Sequence, residues 1–222
     1  MSDDHERSRI LAKQTEVSGL IEKVYEQMKD EDPEAPETWA EIANQIWPMI
    51  DGIIEDLGLD HKPTEDKVDR SFDKPYDLND VLADADVALA FAKKHEDRLA
   101  FNRHILETFD MTNERNQYFS ARQAIAESLN GLKRYEECDT WLKSWKKENE
   151  KEVYPDFVML KCLAEREGCE ERMRQFADSY MAKKEIDAPS EDVMMLYEMI
   201  ALIYERLGET ALQKEAEERM NS

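Results

Sequence analysis

Apolar residues recur along this chain at spacings of three, four and seven, the spacing that lines one face of an α-helix. Ile10, Val17, Leu20, Ile21, Val24, Tyr25 and Met28 form a first stripe, enough for about six helical turns. The stretch from Glu31 to Pro36, with two prolines, interrupts it. A second stripe runs through Trp39, Ile42, Ala43, Ile46, Ile50, Ile53, Ile54 and Leu57 to Gly58. Pro36 suits the first turn of that helix, whereas Pro48 inside it predicts a kink. From Gly58 to Asp77 the periodicity is lost, with Pro63, Pro75 and a mixed charge run between Glu65 and Arg70. A connection of that length is usually a functional loop or a linker. The pattern therefore divides the chain into a helical segment over 1–60, a polar loop or linker over 61–77 and a helical array over 78–222.

After Asp77 the spacing predicts eight helices in four pairs: 78–94 with 96–109, 113–131 with 133–149, 155–167 with 169–185, and 190–207 with 209–221. Start signals stand at Thr112-Asn113, Tyr154-Pro155 and Pro189-Ser190, and Gly131, Gly168 and Gly208 mark stops. Within the last pair, Tyr197, Ile200, Ala201, Tyr204 and Gly208 give the order large, apolar, small, aromatic, glycine. The order recurs at Phe157, Leu160, Ala164 and Gly168, and more loosely at Ile125, Ala126, Leu129 and Tyr135.

This order resembles the first helix of a tetratricopeptide-type helix pair over about residues 80–222. Ala88, Ala126 and Ala201 take the place of the small inner residue, and Lys161 stands there in the third pair. Gln213 stands where the last helix of such a repeat has alanine. The resemblance implies an all-α protein of antiparallel helix pairs stacked as an α-solenoid, with an N-terminal helical extension. It also implies a concave groove lined by the first helix of each pair. On that groove it places Gln123, Glu127 and Asn130, then Val158, Cys162 and Glu165, then Glu198, Leu202 and Glu205. Such a surface is acidic with an apolar strip, and it fits a protein or peptide segment carrying Lys or Arg beside apolar anchors. Repeats that clamp an anionic peptide terminus use Lys and Asn on these faces, and this chain offers Gln, Glu, Val and Cys.

Composition narrows the reading further. The 222 residues include only 6 Gly and 7 Pro, and 52 acidic against 30 basic residues give a formal charge of −22. That charge repels nucleic acid and anionic lipid. No apolar run approaches the roughly 18 residues of a membrane span, and the polar start lacks the order of a signal peptide. The expectation is a cytoplasmic protein. Cys138, Cys162 and Cys169 are an odd number without CxxC spacing, so neither a disulfide framework nor a zinc site is indicated.

Catalytic arrangements are sparse. His5, His61, His95 and His104 form neither HExxH nor ExxH, and the isolated glycines make no phosphate loop. His5 falls in a start that reads as disordered, and His104 reads as a packing or surface residue. Glu136-Glu137 and Glu170-Glu171 favour the start of a helix, where carboxylates meet the positive end of its dipole. Trp141-Leu142-Lys143-Ser144-Trp145-Lys146-Lys147 interleaves aromatic and basic residues, but lysines near a helix end and tryptophans four apart are ordinary helix packing. The sequence thus predicts a scaffold or adaptor that is not an enzyme and has no cofactor. Two alternatives stand beside it: a homodimer packed through Trp39, Ile46 and Trp47, and a small-molecule or peptide-sensing regulator using His61, His95 or His104.

Overall fold

The computed structural model describes residues 2–58, 61–70, 77–148 and 150–220, with side chains from Thr15 onward in the first helix. Pro75 and residues 71–76 of the polar stretch, the side chains of His5 and Ile10, and Asn149 lie outside the described residues. Eleven helices and no strand occur among those described, so the protein is all-α. They are α1 (Ser2–Lys29), α2 (Ala35–Asp56), α3 (Glu65–Asp69), α4 (Leu78–Phe91), α5 (His95–Thr108), α6 (Arg115–Gly131), α7 (Tyr135–Glu148), α8 (Tyr154–Ala164), α9 (Glu170–Met181), α10 (Ser190–Leu207) and α11 (Thr210–Met220). The start that reads as disordered is instead helical from Ser2.

The chain divides into two compact units, residues 1–132 and 133–222. The division does not fall in the 61–77 stretch, because the described part of that stretch is built into the first unit. Pro63 is buried, and its carbonyl accepts the Asp110 amide at 2.8 Å. Lys62 Nζ donates to the Leu106 carbonyl at 2.9 Å, and Val68 of α3 is fully buried. A loop with its own apolar anchor and two backbone ties is part of a core.

In the first unit, α2 packs on α1, α4 and α5, and α5 packs on α4 and α6. The α1 stripe buries Val17, Ile21 and Val24, and the α2 stripe buries Trp39, Ile42, Ile46, Met49 and Ile50. Trp39 meets the edge of Tyr25 at 5.8 Å between ring centres. Trp47 stacks on His104 at 4.2 Å and leans on Phe101 at 5.3 Å. Trp39, Ile46 and Trp47 are therefore core residues of their own unit and offer no face to a second copy. His104 packs, as its sequence context indicates.

The second unit joins α7 to α8, α8 to α9 and α10, and α10 to α9 and α11. Tyr197, Ile200, Ala201 and Tyr204 are all buried, and Gly208 closes α10 with φ 76°. That left-handed conformation costs glycine little, and it lets the Glu209 amide reach the Tyr204 carbonyl at 2.8 Å. Tyr204 donates its hydroxyl to Asp178 of α9 at 2.6 Å. Tyr180 of α9 donates to Asp156 of α8.

Gly131 does more than end α6. A Cβ there would overlap the ring of His95 at the start of α5, so the closeness of the two helices depends on its absence. Gly131→Ala gains helix propensity of about 1 kcal/mol but overpacks the contact, which costs about 1–3 kcal/mol. The expected result is a net loss of about 1 kcal/mol, read from hydrogen exchange of the α5 and α6 amides.

Candidate functional site

Three helices of the first unit meet at one guanidinium. Arg98 of α5 is buried, and its Nε and Nη2 donate to the two oxygens of Asp86 on α4, each at 2.9 Å. Its Nη1 donates to Glu127 of α6 at 2.8 Å. Asn102, one turn further along α5, donates to Asp86 Oδ1 at 2.5 Å, and Gln123 donates to Glu127 at 2.7 Å. Burial acts to lower the Arg98 pKa, but hydrogen bonds and charge from Asp86 and Glu127 outweigh it and the net shift is upward. The guanidinium therefore stays charged. Gln123 and Glu127 thus belong to a structural network, and Asn130, assigned to the groove by sequence, is buried.

Beside this network, α4, α5 and α6 leave a cavity of about 380 Å³. Leu82, Val87, Ile105 and Met111 give it apolar walls, and Glu65, Asp86 and Gln117 give it polar ones. The face of α4 that borders it continues into solvent as Val87 and then Phe91, which is 86% exposed.

Glu65, the first residue of α3, is 6% exposed. Burial first, then the charges of Asp77, Asp66, Glu114 and Asp69, push its pKa up from 4.5 to about 7. One end of the Asn79 amide lies 2.7 Å from both Glu65 oxygens and 3.1 Å from Gln117 Nε2. Protonated Glu65 can donate to an oxygen at that end, which also accepts from Gln117 and leaves Gln117 Oε1 buried without a hydrogen bond. Ionised Glu65 instead requires the amide turned, with its nitrogen donating to the carboxylate, and the Gln117 amide turned as well so that its Oε1 accepts from Asn79. The amide orientation thus follows the charge on Glu65.

In the second unit, sequence and structure disagree over the face of α8. Val158 and Cys162 are fully buried, while Phe157 and Lys161 are half-buried and Glu165 is exposed. Val158 and Cys162 are thus corrected from groove residues to core residues. Cys162 hydrogen-bonds Cys138 of α7 and so lowers its pKa, against the effect of burial and with help from the charge of Arg166. On α10, Glu198, Leu202 and Glu205 are exposed, and Met194 shares their face at helical spacing. Leu202 is 51% and Met194 47% exposed. The opposite side of α10 packs on α8, α9 and α11.

The three histidines with described side chains sit in different surroundings. His95 lies against Gly131, His104 against Trp47, and exposed His61 borders an open depression with Asp51 and Glu107. Among the described residues, no three His, Cys, Asp or Glu side chains are gathered as ligands of a metal ion. No described helix is long and apolar enough to cross a membrane. The chain matches no protein-family model, no curated protein and no solved structure.

Two measurements check this geometry. Arg98→Ala leaves the half-buried Asp86 and Glu127 without their counter-charge, so it should destabilise the first unit by about 2–3 kcal/mol in urea unfolding followed by α5 amide exchange. Glu65 has a folded pKa above its unfolded one, so the folded state holds more protons between pH 4.5 and about 7. Its contribution to stability is complete below pH 4.5 and is lost as pH rises through 7. The difference corresponds to about 3 kcal/mol at about 1.4 kcal/mol per tenfold change. Glu65→Gln should therefore be more stable than wild type at pH 8 by up to about that amount, with the advantage shrinking toward pH 4.5 in thermal unfolding.

Proposed function

We propose that this protein is a non-enzymatic interaction module that holds a segment of another protein against the exposed face of α10. The carrying observation is that face itself, where Met194 and Leu202 alternate with Glu198 and Glu205 in solvent. Large apolar side chains at helical spacing give a partner helix or strand anchors to cover, and the glutamates between them select its charge. The occupant is a segment with Lys or Arg beside apolar residues, since a chain of charge −22 repels an acidic one. Two features of the chain support a scaffold. Its sequence from about residue 80 resembles degenerate tetratricopeptide pairs, most clearly at Tyr197, Ile200, Ala201, Tyr204 and Gly208 of the last pair. Cys138, Cys162 and Cys169 form no disulfide, which suits a reducing, cytoplasmic setting.

The test uses two labelled peptides of equal length, one an amphipathic Lys/Leu helix former and the other with Glu in place of Lys. Anisotropy should show the Lys/Leu peptide binding, weakening as salt is raised from 50 to 300 mM as expected for exposed charges. The Glu/Leu peptide should fail. Leu202→Glu, on an exposed position that leaves the fold intact, should weaken binding at least tenfold. Equal binding of both peptides, or no change in the variant, would overturn the reading.

A further inference from the structure

The cavity of the first unit is independent of the α10 face, and its chemistry is specific. Its lining includes Glu65, Asp80 and Asp86 and, among the described residues, no Lys, Arg or His. The nearby cation, Arg98, is already held by Asp86 and Glu127. A buried carboxyl group without a cation is costly to ionise, and here four more carboxylates face it. Asp66 and Asp69 share α3 with Glu65, Asp77 caps α4, and Glu114 precedes α6. Asp77 is fixed by accepting the Asn79 backbone N–H at 2.9 Å, and Asp69 by accepting the Leu78 backbone N–H at 2.7 Å. These two carboxylates are therefore held in place near Glu65. Leu82, Val87, Ile105 and Met111 form apolar walls above this acidic floor, and about 380 Å³ lies in the range of small-ligand sites, about 300–1,000 Å³.

An occupant must match both features: methylenes for the walls and a compact positive head for the floor. We propose that the cavity floored by Glu65 is a binding site for a primary ammonium group carried on an aliphatic chain. The head pairs with Glu65 and donates to Gln117 Oε1 or to a Glu65 oxygen. A compact ammonium has three rotatable donors and can serve a carboxylate already approached by the Asn79 amide. Metal ions are a poorer match, since no group of three ligating side chains converges among the described residues.

Entry of the cation makes ionised Glu65 the favoured form, so below pH 7 binding releases the carboxyl proton to solvent. The Asn79 and Gln117 amides turn with it, Asn79 donating to the new carboxylate and to Gln117 Oε1. Above pH 7 Glu65 is already ionised and no proton is released.

Two sources share this chemistry, a free alkylamine and the lysine side chain of a protein. The probes are pentylammonium, Nα-acetyl-lysine N-methylamide and neutral pentanol, titrated into the full chain by calorimetry. At pH 6, in buffers of different ionisation enthalpy, pentylammonium should bind at least tenfold tighter than pentanol and release up to one proton per guest. At pH 8.5 the release should approach zero. Glu65→Gln should abolish the release and weaken binding at least tenfold, with cooperative unfolding confirming that the variant is folded. In the wild-type protein, the carbon-13 titration of the Glu65 carboxyl should fall from its midpoint near 7 when guest is present.

Binding of the lysine derivative comparable to pentylammonium assigns the site to a protein side chain. Binding of pentylammonium alone assigns it to a small amine. Equal affinity for pentylammonium and pentanol, binding unchanged in Glu65→Gln, or a Glu65 midpoint unmoved by guest would overturn the proposal. None of these outcomes bears on Leu202 or the α10 face, so this site and the peptide surface stand or fall separately.

Discussion

Arg98 is the interaction on which the first unit depends. Asp86 on α4 and Glu127 on α6 both turn inward, and neither has a place in an apolar interior without a counter-charge. One guanidinium on the helix between them serves both, through a two-point grip on Asp86 and a single bond to Glu127. Its fork geometry suits the task as a lysine ammonium would not. The helices so tied are held at a spacing set by polar side chains as well as by packing. The apolar residues Leu82, Val87 and Ile105 are left lining a cavity beside the network.

The chain's acidity is distributed according to what each carboxylate finds. Most are solvated on exposed helix faces. Asp86 and Glu127 share Arg98, and in the second unit Asp139 accepts from both Arg166 and Arg172 at 2.7 Å. There burial works to raise the Asp139 pKa, and the two arginines overcome it to bring it below the usual value. Glu65 has burial without an arginine, and its pKa moves in the opposite direction. Burial works to raise both pKa values, and the direction of the net shift follows whether a counter-ion is present. What separates a structural carboxylate from a reactive one in this protein is the presence of a guanidinium within hydrogen-bonding distance.

The two candidate surfaces differ in the same physical terms. The α10 face is open and combines exposed apolar side chains with glutamates that remain in water. Its electrostatics are screened and act mainly on encounter and selection. The cavity of the first unit is recessed and its carboxyl is desolvated, so charge there acts at short range and couples to protonation. An extended segment suits the first and a single side chain or small amine the second.

Apart from α3 and α8, the helices and their buried faces were legible in the chain itself, because the 3.6-residue period is local. The Gly208 stop and the exposed Glu198, Leu202 and Glu205 were legible for the same reason. α8 was not, since its residues from Phe157 to Leu163 are apolar on nearly every side, and no polar face identifies which of them meets water. Only packing against α7, α9 and α10 put Val158 and Cys162 inside. The place of Trp39 and Trp47 was decided in the same way, by the arrival of Tyr25 and His104 beside them. Tertiary structure alone also brought Arg98 between Asp86 and Glu127, and Glu65 to Asn79 and Gln117. Periodicity records how much of a helix is buried, but the identity of its neighbours, and therefore which charges are paired, is fixed by contacts between residues far apart in the chain.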